Sequence, residues 1–365
     1  MEVMRGRQPK QASMLCLMNI EEQVPEDHPL REIKKLADAA LKRMDRTFDR
    51  MYSKTGRPSV APERLLKSMV LMALFSIPSE LRLCEQLRYN LLFRWFLDMD
   101  MVEDPFDHCA FSDNRERLMK HDVAGKFFAH VFDEARRRNL TSSDHFSVDG
   151  TLIEAWASMK SFRPKDENDD DNDRNGWSDF KGTKRSNKTH ESKTDPEAKL
   201  MRKSVGKEAK LSFAVHALME NRNGLVADVR VSEANGTCER IEALAMLEAL
   251  PRRSRRRTVG ADKLYDTRDF VGRCRGIGFT PHVAQFQKGR GQRGSAIDAR
   301  TTRHPGYTAS QRVRKRIEQI FGWSKAAASQ RKTRYRGIAR TTLFTTVTFA
   351  AYNLLRISRL IAQPA

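Results

Sequence analysis

The spacing of apolar residues divides the chain into two regimes. From Leu30 to Tyr52, Leu30, Ile33, Leu36, Leu41 and Met44 recur among charged residues at intervals that fit one face of a helix. Gly56-Arg57-Pro58 interrupts the pattern. Pro62 then occupies the place of a first helical residue, where its missing N–H costs nothing. Leu65, Leu66, Met69, Val70, Ala73 and Leu74 follow at helical spacing. Pro78-Ser79 restarts the chain; Glu80 to Tyr89 predicts another helix that leads into the cluster Phe93-Arg94-Trp95-Phe96, and Phe111 to Arg138 is helical again. Short helices joined by tight turns fit a helix-turn-helix-like DNA-binding or dimerisation domain, and equally an ordinary helical bundle.

Near Ser142 the period shortens to two. His145 to Asp149 alternates, with Phe146 and Val148 apolar, and Asp149-Gly150 reads as the turn that ends this strand. Residues 162–207 are polar and almost free of aliphatic side chains, the composition of a flexible or partly ordered loop. Two strands follow, Lys210 to Met219 and Leu225 to Ser232, with Asn223-Gly224 between them as a hairpin signal. Then come a helix from Cys238 to Leu250, a strand that ends at Asp262, a helix near Asp266 to Arg275, a strand near Pro281 to Phe286 and a long helix from about Ala309 to Gln330. Five strands interleaved with helices make this part α/β, a mixed sheet with flanking helices. Element order by itself does not choose among α/β folds.

Charge narrows the function. Lys and Arg number 67 against 47 Asp and Glu, a formal net charge of +20, which calls for a polyanionic partner. A membrane is disfavoured: no stretch approaches the ~20 apolar residues of a spanning helix. The apolar patch near the N-terminus is too short for a secretion signal. The C-terminal LFTTVTFAAYNLLRISRLIA is broken by Thr, Asn and Arg and reads as a buried helix. Cys16, Cys84, Cys109, Cys238 and Cys274 are scattered and form no CxxC pair, so they read as reduced thiols of a cytoplasmic protein rather than zinc ligands. DNA is the expected partner.

Three acids occupy special places in the element order. Asp149 and Asp262 sit at strand ends, where α/β sheets place reactive groups, and Glu318 lies in the last long helix. Phosphodiester chemistry needs such residues, because hard carboxylate oxygens can hold a pair of Mg²⁺ ions about 3.5–4 Å apart. Taken singly, an Asp-Gly after a strand is often only a turn. The helix around Glu318 is more informative. At about 100° per residue, Val313, Ile317, Ile320, Phe321 and Ser324 share one side, while Gln311, Arg314, Glu318 and Lys325 fall within an arc of about 60° on another. An i,i+4 ion pair would account for Arg314 and Glu318 but not for Lys325.

Three segments carry a family resemblance. SVDGTLIEAWASMKSF, VGADKLYDTRDF and RTTRHPGYTASQRVRKRIEQIFGWSK resemble the first-Asp, second-Asp and Glu-helix motifs of bacterial insertion-sequence transposases of the DDE class, in the branch numbered four and five. GRPSVAPERLLKSMVLMALF and NLLFRWFLDMD resemble that family's N-terminal domain, so the likeness runs from about Leu30 to Tyr352. The family's Glu helix carries Tyr, two residues, Arg, three residues, Glu, six residues, Lys. Arg314, Glu318 and Lys325 match, and Gln311 stands where the family has Tyr.

The resemblance implies an RNase H-like mixed five-stranded sheet flanked by helices, preceded by an all-α N-terminal domain. It implies Asp149, Asp262 and Glu318 as both catalytic residues and metal ligands. It further implies Mg²⁺, replaceable by Mn²⁺, as two ions; cleavage at the element's terminal inverted repeats; strand transfer into target DNA by the freed 3′-hydroxyl; and a homodimer on paired ends. A DNA-binding regulator derived from a transposase, and a stand-alone nuclease of the same fold, remain alternatives. The expected organisation is a tail over 1–29, a helical DNA-binding or dimerisation domain over 30–140, a catalytic domain over 141–335 that contains the 162–207 loop, and a C-terminal helix over 336–365.

Further positions complete the expectations. Arg314 and Lys325 are placed on DNA phosphate. The run Arg252, Arg253, Arg255, Arg256 and Arg257 precedes the Asp262 strand and is expected to enter the site, with Arg255, Arg256 and Arg257 as DNA contacts. Asp171, Asp173, Asn175, Gly176 and Asp179 mimic the start of a calcium loop, but Gly182 stands where its Glu is required. His216 and His282 read as structural, Trp323 as core, and His304 and Tyr307 as DNA contacts or shapers of the Glu-helix start.

Overall fold

The computed structural model describes residues 19–52, 59–165, 185–203, 206–286 and 294–363. Gly56-Arg57-Pro58 and the calcium-loop mimic lie outside the described residues. The first helices are α1 (Ile20–Gln23), α2 (Pro29–Lys42), α3 (Asp45–Met51), α4 (Pro62–Leu74), α5 (Glu80–Gln86), α6 (Leu91–Phe96), α7 (Cys109–Lys120) and α8 (Val123–Arg137). Their starts follow local chemistry. The side chains of His28, Ser79 and Asn90 each accept an N–H of the first turn, and Pro29 and Pro62 sit in first turns that have no partner for the N–H they lack.

Two stretches that read as single helices are each broken. One break is at Arg43-Met44. The other is at His121-Asp122, where Asp122 takes a left-handed φ of 47°. The apolar spacing runs on across both breaks because the pieces on either side face the same core.

The second region is built on β1 (His145–Glu154), β2 (Phe162–Pro164), β3 (His190–Ser192), β4 (Lys199–Arg202), β5 (Ala209–Glu220), β6 (Val226–Glu233), α9 (Cys238–Ala249), β7 (Arg257–Ala261), α10 (Arg268–Gly276), β8 (Phe279–Val283), α11 (Ala299–Thr302), α12 (Pro305–Val313), α13 (Arg316–Ala326) and α14 (Ile338–Ile361). Five strands run in the order β6-β5-β1-β7-β8, with β1 antiparallel to β5 and parallel to β7, and β7 parallel to β8. This is the RNase H-like mixed sheet expected from the motifs. A sixth strand, β4, pairs with the first part of β5, and β2 and β3 form a small separate ladder. All three short strands come from the polar 162–207 stretch. Their side chains alternate too weakly to announce a strand; β4 is made by pairing with the longer β5, and β2 and β3 by pairing with each other.

Helices cover both faces. On one, α9 and α10 pack Ala243, Leu244, Leu247 and Phe270 against Phe146, Val148, Val259 and Ala261 of the central strands. On the other, α13 and α14 join Ile153, Val215 and Ala217 to the core of the N-terminal helices, so the helical region and the sheet share one continuous apolar interior. Asn353 of α14 ties this helix to the sheet edge. Its Oδ1 accepts the Val226 N–H at 2.9 Å and its Nδ2 donates to the Val226 carbonyl at 2.8 Å. No helix among the described residues is long and apolar enough to cross a membrane.

The β5–β6 turn turns on one buried acid. The Glu220 carboxylate, fully excluded from solvent, accepts the backbone N–H groups of Ser142 (3.0 Å), Arg222 (3.0 Å), Asn223 (2.8 Å) and Leu225 (3.1 Å). Gly224 supplies the positive φ, 74°, that the turn requires. Glu220→Ala leaves four backbone donors without their acceptor. Denaturant unfolding is expected to show a loss of about 3 kcal/mol or more, from hydrogen bonds to a charged group worth about 1.5–3 kcal/mol each. A change under about 1 kcal/mol would mean that water replaces the carboxylate.

Candidate active site

The parallel ladder between β1 and β7 pairs His145 with Thr258, Phe146 with Val259 and Ser147 with Gly260. Two residues further on stand Asp149 and Asp262, which the same two-residue alternation aims at one face of the sheet. The sequence put Asp149 at the end of its strand. In fact β1 continues to Glu154, paired throughout with β5, and Asp149-Gly150 makes no turn. What ends near Asp149 is β7, and the divergence of the two parallel strands opens the space between the acids. Asp262 directly follows β7. Its Oδ1 accepts the Leu264 N–H at 2.7 Å and so caps the single helical turn Lys263–Tyr265.

Glu318 is brought over this face by α12 and α13. The sequence read one helix here, but the chain is interrupted at Arg314-Lys315. The crossing is close. A Cβ on Gly260 would lie 3.1 Å from Ser147 Oγ and 3.3 Å from Arg314 Cβ, so a larger residue would crowd the helix where it comes down on β7. Asp262, Arg314 and Glu318 line one cavity of about 550 Å³ together with Lys263, Ala284, Gln285 and Phe286.

The electrostatics are those of crowded acids. Burial pushes the Asp149 carboxyl up to about 7. The N–H of Gly150, 2.8 Å from its Oδ1, opposes the rise, Asp262 and Glu239 add to it, and Arg314 opposes it. Burial, and then Asp262, also raise Glu239. No salt bridge joins Asp149, Asp262, Glu239 or Glu318 to a cation among the described residues. A set of hard oxygen donors with uncompensated charge suits a divalent cation. The four do not form a ready cage. The only His, Cys, Asp or Glu trio among the described residues with ligand atoms within 4.8 Å of one another is the exposed Asp107-His108-Cys109.

The other expected residues divide. Arg314 reaches the cavity, and its Nε donates to Gln311 Oε1 at 2.9 Å, while Gln311 donates in turn to the His282 carbonyl. Gln311 is therefore a prop for Arg314. Lys325 lies away from the cavity lining, its Nζ 2.5 Å from Thr151 Oγ1; burial, then Lys203 and Arg331, lower its ammonium pKa.

The arginine run does not enter the site. It precedes β7 while Asp262 follows it, roughly 15 Å away by strand rise. Arg255 and Arg256 are exposed there. Arg257 is buried with its guanidinium 4.5 Å above the Phe279 ring, packed where no phosphate reaches it.

His304 caps α12 through the Gly306 N–H, and the Tyr307 hydroxyl donates to the Val283 carbonyl at 2.9 Å, so both shape the helix start. His282 and His216 are buried against Ser310 and Ser232. Burial lowers each to about 4, which leaves them neutral. Trp323 packs edge-on to Tyr352.

Sequence reasoning did not anticipate that Glu239 lies against Gly150, beside Asp149. In CERIEALAMLEAL it looks like an ordinary acid in a first helical turn. The signal that could have found it is Gly150, since a glycine inside a strand marks a close approach.

Two family models match the chain. A family model described as a transposase domain (DUF772) matches residues 18–117, and one described as a transposase DDE domain matches residues 176–354, which takes in Asp262 and Glu318 and opens after Asp149. The chain belongs to the insertion-sequence DDE transposases. It is accordingly an enzyme of transposition that cuts DNA and transfers strands, with DNA as its partner and a divalent metal as the family's requirement.

No curated protein matches the chain significantly. Among solved structures, a piggyBac transposase synaptic complex with hairpin DNA is 11% identical, covers 90% of this chain and 75% of its own, and has a TM-score of 0.39. A Mos1 strand transfer complex is 13% identical, with 80% and 88% covered and a TM-score of 0.20. The mariner Mos1 paired end complex with Mn is 12% identical, with 87% and 90% covered and a TM-score of 0.20. These are loose likenesses in shape.

The raised Asp149 carboxyl has a measurable consequence. Between about pH 4 and about pH 7 the folded, metal-free chain keeps a proton that the unfolded chain has released, so stability falls as pH rises through that window. Asp149→Asn cannot ionise. Thermal melts in chelator are expected to show little difference between variant and wild type near pH 4 and a growing advantage for the variant up to about pH 7, then a plateau. A difference that does not vary with pH would place Asp149 in water.

Proposed function

We propose that Asp149, Asp262 and Glu318 form the catalytic triad that cuts the element's terminal inverted repeats and joins the freed 3′-hydroxyl to target DNA. The observation that carries this is the cavity shared by Asp262, Glu318 and Arg314, with Asp149 close enough to Asp262 and Arg314 to feel both charges. These acids would hold Mg²⁺ or Mn²⁺ as two ions, which when bound activate the attacking oxygen and stabilise the leaving one. Arg314, fixed by Gln311, is positioned to meet a non-bridging phosphate oxygen. Lys325 holds Thr151 one alternation beyond Asp149 and supports the strand from the same face. Arg255 and Arg256 are assigned to duplex backbone away from the reacting phosphate. The enzyme works as a homodimer on paired ends, in keeping with the need to cut two ends together.

The test uses DNA carrying the element's ends, taken from the sequence that flanks the gene, with Mg²⁺ or Mn²⁺. Asp149→Ala, Asp262→Ala and Glu318→Ala are each expected to abolish strand cleavage and leave DNA binding within a few-fold of wild type. Full cleavage by any one removes that residue from the triad. Arg314→Ala is expected to slow cleavage by about 10²-fold, the scale for losing one donor to a developing charge. The double change Arg255→Ala, Arg256→Ala is expected to weaken DNA binding and flatten its salt dependence without altering the cleavage rate of the bound complex. An unchanged salt slope would take these two off the DNA.

A further inference from the structure

We propose that Lys263 is a further catalytic residue, whose ammonium group meets a non-bridging oxygen of the reacting phosphate in the cavity of Asp262, Glu318 and Arg314. This rests on the assignment of that cavity as the reacting site, and adds a second phosphate-binding cation to it.

The observation is a set of charges that do not pair. Two acids, Asp262 and Glu318, and two cations, Lys263 and Arg314, line one cavity of about 550 Å³. Opposite charges confined in this way attract and ordinarily close on one another. Among the described residues none of the four forms an ion pair. The hydrogen bonds they do make turn elsewhere: Asp262 Oδ1 accepts the Leu264 N–H at 2.7 Å, and Arg314 Nε donates to Gln311 Oε1 at 2.9 Å. Both signs of charge therefore stay available in the same space. Acids left unpaired can hold metal, and cations left unpaired can hold phosphate, and phosphodiester chemistry needs both.

The backbone that carries Lys263 is anchored on either side. Before it, Asp262 caps the turn Lys263–Tyr265. After it, Tyr265 is buried with its ring edge-on to Phe270, the centroids 5.1 Å apart, and Asp266 is fully excluded from solvent. The Asp266 carboxylate accepts the N–H groups of Phe286 at 2.7 Å and Ala296 at 2.8 Å. Phe286 lines the cavity, so this buried acid ties the turn to the cavity wall. The Ala284 N–H donates to the Ala261 carbonyl at 3.1 Å and ties the same wall to the end of β7.

An exposed lysine is the rule on protein surfaces and by itself calls for no role. Lys263 differs in what it shares: an anchored main chain, a cavity with two of the proposed catalytic acids, and a side chain with no partner among the described residues. It also differs from Arg314 in kind. Arg314 presents a planar fork held by Gln311, whereas Lys263 presents a compact charge on a flexible stem that can follow a phosphate as it shifts.

The experiment is single-turnover cleavage of end DNA in Mg²⁺ by the full chain, with the dissociation constant for the same DNA and the melting temperature measured alongside. Lys263→Ala is expected to slow cleavage in the bound complex about 10²-fold, the scale for losing one donor to a developing charge. Its DNA affinity should stay within a few-fold of wild type and its melting temperature should not change. Lys263→Arg should recover about tenfold of the lost rate, because it restores the charge in a different shape. Lys263→Met keeps the stem without the charge; it must show the same loss as Lys263→Ala, and serves alone if that variant does not fold. Wild-type cleavage by Lys263→Ala overturns the proposal, and so does weaker DNA binding with the bound-complex rate unchanged. Full activity in Lys263→Met overturns it as well, since the charge would then be immaterial. Asp262→Ala separates the two readings. If it is inactive while Lys263→Ala cleaves normally, the cavity stands as the reacting site and only Lys263 is removed from it; if both cleave normally, both readings fall.

Discussion

Like charges on neighbouring parallel strands repel, and this molecule is arranged to hold them together. The β1–β7 ladder fixes Asp149 and Asp262 at matching heights two residues past the Ser147–Gly260 pair. Such a ladder cannot be closed by a hairpin, because parallel neighbours need a long crossover. The chain provides it through β5, β6 and α9, and the crossover helix lands on the same two strands. The repulsion is visible in the chemistry: with burial as the main cause, and Asp262 and Glu239 adding to it, the Asp149 carboxyl sits near 7. The rest of the fold supplies the rigidity that resists it, in the buried Glu220 turn at one end of β5 and the Asn353 clasp at the β6 edge.

Gly260 lies where a helix comes close on one face: its missing side chain leaves room for Arg314, at the junction of α12 and α13, while at Gly150 on the other face what lies close is the Glu239 side chain. The interruption at Arg314-Lys315 is part of the same geometry. A straight helix would keep Arg314, Glu318 and Lys325 in one stripe. With the break, Arg314 and Glu318 line the cavity while Lys325 reaches β1 at Thr151.

Much of this was legible in the sequence, for physical reasons. Alternating apolar residues mark β1, and Asn223-Gly224 marks the β5–β6 hairpin, although β5 itself is buried on both faces from Leu211 onward; the motif spacing around Arg314, Glu318 and Lys325 picked out the segment that forms α12 and α13. What was hidden depends on neighbours distant in the chain. The strand β1 runs past Gly150 because β5 pairs with it, and no local signal contradicts the turn that Asp-Gly suggests. Arg257 looks like one more surface cation until Phe279 is placed beneath it. Glu239 has no periodicity or motif of its own. It gains meaning only when α9 is laid across the sheet. Gln311 looked like a departure from the family pattern, and the structure gives it a role as the hydrogen-bond partner of Arg314.

The overall charge and the local charge have opposite signs, and this shapes how DNA can be handled. A surplus of +20 draws a polyanion to the surface from a distance. At the cavity, however, an arriving phosphate meets Asp262 and Glu318, with Asp149 close by, against which Arg314 and Lys263 are the cations of the lining. A phosphate cannot come within bonding distance of that set unless further positive charge accompanies it. The basic surface can therefore bind DNA with the reacting centre still closed to it electrostatically, and divalent cations become the condition for engagement rather than an aid to affinity. On the proposed assignment of the acids as cation ligands, removing one harms chemistry through lost cation binding while it eases the approach of DNA. Loss of cleavage with binding retained is thus the pattern to expect from the acids, and loss of binding the pattern to expect from the arginines.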